Sequence, residues 1–366
     1  MDIRFIILIL MGLITCGGCG FKFGFADLQV AKSGRSLVVA TTDYQTGALA
    51  LLNLETRISN LNFSPIHSDA LVRAYPGISD LFVINRLGGD NLQRISRSSG
   101  RTLKQIGLGQ WSNPQDMAVE GDYGYVSCLG KNALLKINLN NGNLIKNIDL
   151  SQFADSDGLP EANQMAWVNN NLWIQVQRLN QKAGFVPAGN SLLAIVDPHF
   201  DIVTNSLELK ATNPVSSFKL TDDGHLLIAE AGRVGSPSEL DGGIELIDPD
   251  NIKSLGFITT EKQLGGDLID FECISDSNCV AIVSKPQTEL VVFDRSSGEV
   301  LKVLVKSTGV HLREVLMDKA EGLLYLADAN PIQPSIRVFS VDDFEERTEL
   351  KWKLKLPPFQ MKLLEY

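Results

Sequence analysis

The chain has 366 residues and is acidic, with 33 Lys and Arg against 43 Asp and Glu and a net charge of −10. It carries no run of like basic charge, so it lacks the electrostatic footprint that phosphate-backbone binding requires, and nucleic acid is excluded as an expected partner. Hydrophobic residues make up 44% of the chain, enough for a sizeable core, and closed all-β rings exceed the usual single-domain length.

In chain order, the first feature is Arg4 followed by an apolar run from Phe5 to Ile14. The run is too short to span a bilayer and has the length of a signal-peptide core. Leu13-Ile14-Thr15-Cys16 resembles the bacterial lipobox, in which a Leu lies three residues before a Cys that becomes diacylated. Thr15 stands where Gly, Ala or Ser is usual. The resemblance implies a lipid anchor at Cys16 and attachment to a membrane of the bacterial envelope. With Gly17 in place of Asp, that membrane would be the outer one in a Gram-negative host. The alternative is ordinary leader cleavage and a soluble periplasmic protein. Residues 1–20 are assigned to the leader and anchor region, and 21–366 to a single domain.

From there the sequence repeats itself. Short apolar runs centred on Val39, Val83, Val126, Ile174, Ile228, Ile282 and Leu326 recur at intervals of 43 to 54 residues. A four-stranded propeller blade takes roughly 40 to 50 residues. Each run is preceded by another strand-like run and followed by a third that ends in a polar turn, as in Leu135-Lys-Ile-Asn138, Glu245-Leu-Ile-Asp248 and Val291-Val-Phe-Asp294. Asn140-Asn-Gly142, Asp248-Pro-Asp250 and Ser296-Ser-Gly298 supply the residue types that tolerate left-handed backbone or cap a turn. A fourth run leads to the next unit. The pattern predicts an all-β fold, a seven-bladed β-propeller of four-stranded antiparallel blades. Each blade buries both of its faces only by stacking on its neighbours.

Tyr125-Val-Ser-Cys-Leu-Gly-Lys-Asn132, the strand to Asn138, the Asn141-Gly142 turn and Ile145-Lys-Asn-Ile148 resemble the YVTN repeat. Asn113-Pro114 and Asn213-Pro214 resemble that family's entry to the inner strand. The chain is therefore similar to YVTN/YncE-like seven-bladed propellers of the bacterial lipoprotein kind. The resemblance covers about 27–345 and is strongest in blades 3, 5 and 6. It specifies a fold and leaves function open, because propellers host many unrelated activities.

The loops after the second strands and those entering the first strands are expected to share one face around the central channel. Asp43, Arg86, Lys131, Arg178, Glu230 with Arg233, Lys285 and Asp328 fall in those loops. They give a candidate ligand-binding mouth of Arg86, Arg178, Glu230, Arg233, Lys285 and Asp328 for a protein, peptide, glycan or other anionic ligand. Simple solvation of loops accounts for the same residues. Asp155-Ser-Asp157-Gly-Leu-Pro-Glu161 resembles the start of a calcium loop, making Asp155, Asp157 and Glu161 candidate metal ligands, with calcium the cofactor they would bind. It lacks the later ligands and flanking helices of a full one.

Of the five cysteines, Cys273 and Cys279 flank a turn between two strand-like runs and are expected to form a disulfide, which export permits. Cys128 is expected to be a buried thiol. Catalytic templates fail: there is no G-x-S-x-G and no H-E-x-x-H, and His67, His199, His225 and His311 fall in four different repeats. The sequence thus points to a non-enzymatic envelope lipoprotein that binds through its propeller face. The alternative is a lactonase-like or other metal-dependent hydrolase with its site in the central channel. Arg and Lys at the mouth of several blades disfavour a bound cation there.

Overall fold

The computed structural model describes residues 34–234 and 239–364. The leader, with Cys16 and Cys19, lies outside the described residues. Seven four-stranded antiparallel sheets follow one another around the ring. Blades 2, 3, 4, 6 and 7 begin at the axis with the inner strands Ala70–Arg73, Pro114–Glu120, Ala162–Val168, Asp267–Cys273 and Leu312–Asp318. In blade 5 the regular inner strand shrinks to Lys219–Leu220, preceded by a bridge between Pro214 and Glu230. The inner strand of blade 1 is Pro358–Leu364, from the far end of the chain. It pairs with Ser36–Thr42, so the ring closes by joining its first and last strands. This closing strand lies beyond the stretch that carries the repeat resemblance.

The seven second strands are those expected. Val39, Val83, Val126, Ile174, Ile228, Ile282 and Leu326 are each 0% exposed. Their β-branched and leucine side chains pack against facing residues of the next blade. Leu37 and Val39 meet Tyr325 and Val338 of blade 7, while Ile228 and Ile247 of blade 5 meet Trp173 and Ile195 of blade 4. Alternation along the strand sends one set of side chains to each neighbour.

The polar turns after the third strands form as read. Asn138 Oδ1 accepts the Asn140 and Asn141 amides at 3.0 Å, and Gly142 takes the left-handed conformation. Asp294 Oδ1 accepts the Ser296 and Ser297 amides, and together with the hydroxyls of those serines this pulls its carboxyl down to about 2. The two longest intervals have a structural cause. The blade 4 loop carries an extra hairpin, Leu179–Asn180 paired with Val186–Pro187, and blade 5 has a long connection between Glu230 and Gly243. Cys273 and Cys279 are register partners across a tight hairpin and are disulfide-bonded, with 4.0 Å between their α-carbons. Cys128 is buried and free, and burial pushes its thiol up to about 12.

Candidate functional site

The inner strands decide what faces the axis. In blades 1, 3, 4, 6 and 7 the pairing between inner and second strand slips by a bulge. A bulge frees a main-chain N–H from the ladder and re-aims the neighbouring side chains. Each inner strand is also an edge, so N–H groups turned to the axis lack ladder partners, and side chains of the preceding blade take them up. Gln360 Oε1 of blade 1 accepts the Val72 amide of blade 2 at 2.8 Å. Asp116 Oδ2 of blade 3 accepts the Met165 amide of blade 4 at 2.8 Å. Asp270 Oδ2 of blade 6 accepts the Val315 amide of blade 7 at 2.9 Å. Glu314 of blade 7 accepts the Met361 amide of blade 1.

Side chains complete the circuit. Arg73 Nε of blade 2 donates to Asp116 Oδ1 at 2.6 Å. Asn163 of blade 4 donates to Pro214 O of blade 5 at 3.0 Å. Lys219 Nζ of blade 5 donates to Glu272 Oε2 of blade 6 at 2.8 Å. Every junction between neighbouring blades is thus hooked by a polar contact beside the axis.

The channel therefore holds Arg73, Lys219 and Lys362 interleaved with Asp116, Asp270, Glu272 and Glu314. Burial raises Asp270 to about 6 and Glu314 to about 7, with the Lys219 and Lys362 ammonium groups respectively opposing the shift. Burial works against the charge on Lys219, but Glu272 and Asp270 outweigh it and hold the ammonium above its ordinary value. Lys362 moves the other way: burial and the nearby Arg73 lower it more than Glu314 raises it.

Sequence reasoning missed this set, although a signal was present. A charged residue interrupts the first apolar run of several repeats, as in Leu71-Val-Arg73, Phe218-Lys219-Leu220, Leu268-Ile-Asp270-Phe271 and Met361-Lys362-Leu363. A charge inside an apolar run that stacking should bury marks a strand with one face on a polar lumen.

The expected mouth residues do not assemble into one site. Arg86 does reach the inner strands, with Nη1 at 3.2 Å from Gln115 Oε1 and its guanidinium 5.3 Å from the Phe359 ring. Its charge is matched by Asp69. Arg178 Nη1 donates to Asn190 O within the blade 4 loop. Arg233 pairs with Glu239 at 3.1 Å and Lys285 with Glu289 at 3.7 Å, each inside its own blade. Asp328 caps the Asn330 amide and lies 3.8 Å from Arg337. Asp43 caps the Gln45 and Thr46 amides, and Lys131 reaches Gln110 O.

Glu230 requires a correction, since it belongs to no mouth. It is 0% exposed, packed where blades 4 and 5 meet, and accepts the Ala211 amide at 2.6 Å. Strand alternation puts it on the face of Ile228, whose register partner is Glu245. Burial and the neighbouring Glu245 hold its carboxyl well above the usual range.

The acidic loop is likewise bound up internally. Asp155 Oδ1 accepts the Asp157 amide, and Asp157 accepts the Leu159 and Gln181 amides. Glu161 accepts the Leu179 amide and the Gln181 side chain, and burial lifts it to about 8. These carboxylates cap amides of their own loop and of the neighbouring hairpin. Among the described residues no group of three or more His, Cys, Asp or Glu side chains is placed to hold a metal ion.

Two recesses flank the channel. The one on the side of the second-to-third-strand loops has a volume of about 300 Å³ and includes Tyr44, His311, Arg313 and Phe359. The one at the opposite end, toward the hairpins joining inner and second strands, has a volume of about 340 Å³ and includes Arg73, Lys219 and Lys362.

No protein-family model matches the chain, and no curated protein matches it by sequence. Solved structures do match by shape. A candidate 6-phosphogluconolactonase from Bacteroides fragilis shares 11% identity at a TM-score of 0.65, over 92% of this chain and 99% of that one. Its counterpart from Bacteroides uniformis shares 12% at 0.62, over 91% and 100%. Apo AztD from Citrobacter koseri shares 10% at 0.52, over 90% and 98%. At such identities the likeness concerns the fold alone. Fold and comparisons together define the class: the chain is a seven-bladed β-propeller.

Proposed function

We propose that this propeller is a non-enzymatic binding protein of the bacterial envelope, of the YVTN/YncE-like lipoprotein kind, tethered through Cys16 and receiving its ligand at the axial channel. One observation carries the non-catalytic reading. The axial carboxylates that a hydrolase would use as base or metal ligands serve here as hooks between blades: Asp116, Asp270 and Glu314 each accept an amide of the next blade. Arg73, Lys219 and Lys362 stand among them, and fixed cations repel a divalent metal. A tether from Cys16 would reach the ring where Ser36 lies beside Leu364, on the face of the inner-to-second-strand hairpins.

The lactonase-like alternative is tested by incubating the purified protein with gluconolactone, with and without calcium, manganese or zinc. Hydrolysis at the spontaneous rate is expected under every condition. Turnover that needs a metal and disappears in D116N would overturn the binding reading. The tether is tested by labelling the native host with a fatty acid. Label on the wild-type chain, and release of C16S from the membrane fraction, are expected. An unlabelled chain that is soluble in both forms would contradict it.

A further inference from the structure

We infer that the recess around Lys362, at the hairpin end of the channel, is a binding site for a small organic anion: a carboxylate or phosphate carried on a compact ring. This inference rests on the binding reading above and specifies the ligand class.

Three basic side chains from three blades, Arg73, Lys219 and Lys362, line one recess of about 340 Å³. That volume lies within the usual range for small-molecule sites. Asp116 is the carboxylate among its lining residues, and both of its oxygens are engaged, by Arg73 with the Met117 amide and by the Met165 amide. The other axial carboxylates, Asp270, Glu272 and Glu314, are not among the lining residues of the recess.

Lys219 is answered by Glu272 and Arg73 by Asp116, but among the described residues Lys362 enters no ion pair. The opposing charge that acts on it most strongly is Glu314, one of whose oxygens accepts the Met361 amide. The Lys362 side chain is half-buried, and its ammonium opens toward the recess with no carboxylate hydrogen-bonded to it among the described residues. An anionic oxygen seated against it would give Lys362 the hydrogen-bonded counter-charge that Arg73 and Lys219 already have.

The walls indicate the rest of the ligand. Tyr75, Trp167 and Phe218 present ring surface to the same recess, and Gln164 adds an amide. The Tyr75 hydroxyl and the Trp167 indole N–H are occupied by Met117 O and Val119 O, which fixes both rings in place. Fixed aromatic walls beside a basic floor suit a flat or ring-shaped body with one charged end, such as a sugar acid or a sugar phosphate.

The test is calorimetric titration of the purified full chain with glucuronate, glucose 6-phosphate, inorganic phosphate and glucose. Saturable binding of glucuronate or glucose 6-phosphate is expected, with none for glucose; which of the two binds tells carboxylate from phosphate. K362M should weaken that binding by about tenfold or more, the loss of one charge-assisted hydrogen bond. K362R, which keeps the charge, should retain most of it. W167L should weaken the sugar anion and spare inorganic phosphate. K362M takes from Glu314 the ammonium that opposes its upward shift, so circular dichroism and the melting temperature confirm that each variant is folded. Absence of binding by either sugar anion would overturn the inference. So would a folded K362M that binds like wild type, or binding lost with R313Q and kept with K362M, which would move the ligand to the opposite mouth. Lactone turnover would refute the non-catalytic reading independently of these affinities.

Discussion

Asp116 on blade 3 accepts the main-chain N–H of Met165 on blade 4 at 2.8 Å, while its other oxygen holds Arg73 of blade 2. One carboxylate thus joins three consecutive blades at the axis. Removing it in D116A leaves the buried Arg73 guanidinium without its carboxylate and the Met165 amide without its acceptor, a loss expected to cost about 3–5 kcal/mol. D116N keeps one acceptor and should cost less. Urea unfolding measures both; a D116A penalty below about 1 kcal/mol, the level of an exposed pair, would show that the hook is not structural.

Closure of the ring rests on Pro358–Leu364. Met361 and Leu364 are 0% and 1% exposed and pack into two different inter-blade clusters. Each mutation to Ala is expected to cost about 2–5 kcal/mol. Deleting 358–366 exposes the free edge of Ser36–Thr42 and should abolish the single cooperative transition in calorimetry. A truncated chain that still melts as one unit would show that the last strand is dispensable.

Stability should fall as pH rises through neutrality. Glu161 is raised to about 8 and Glu261 and Glu314 to about 7, in each case chiefly by burial. In the unfolded chain these groups lose their protons near pH 4.5, so between that value and about 8 the folded state binds more protons. The stabilisation is complete below the unfolded value and is lost as pH climbs through the folded ones. The melting temperature at pH 5.5 is therefore expected to exceed that at pH 8.5, and E161Q should flatten the slope. A melting temperature that rises over this interval would contradict the assignment.

The Cys273–Cys279 bond closes a short loop, so its removal should cost at most about 2–3 kcal/mol. Cys128, buried and with its thiol raised to about 12, should resist an aromatic disulfide reagent until the chain is denatured. Beyond the leader cysteines, one thiol is then expected to titrate. Three would mean that the bond is absent.

The ring was legible because its signal is repetitive. Seven buried second strands, each near a turn-forming third strand, leave few folds that could accommodate them. The closing strand was not legible, since Pro358–Leu364 carries no neighbouring repeat to identify it. The candidate site was misread for a related reason. Charges in loops stand out in a sequence, yet Arg233 and Lys285 prove to be answered locally by Glu239 and Glu289. Glu230 sits at a strand end that sequence reads as exposed, and the inter-blade packing buries it. The residues that do converge, Arg73, Lys219 and Lys362, lie inside apolar runs on three different blades. Only the stacking of the blades around the ring and its closure bring them to one axis.

Ligand-observed proton NMR on a mixture of glucuronate, glucose 6-phosphate and glucose, at a substoichiometric protein concentration, tests binding and catalysis together. Saturation transfer from the protein to an anionic sugar and not to glucose is expected, with loss of that transfer in K362M and no new resonances after prolonged incubation. A spectrum indifferent to the protein, or product resonances that appear with wild type and vanish in D116N, would contradict a non-enzymatic propeller that binds an anion at its axis.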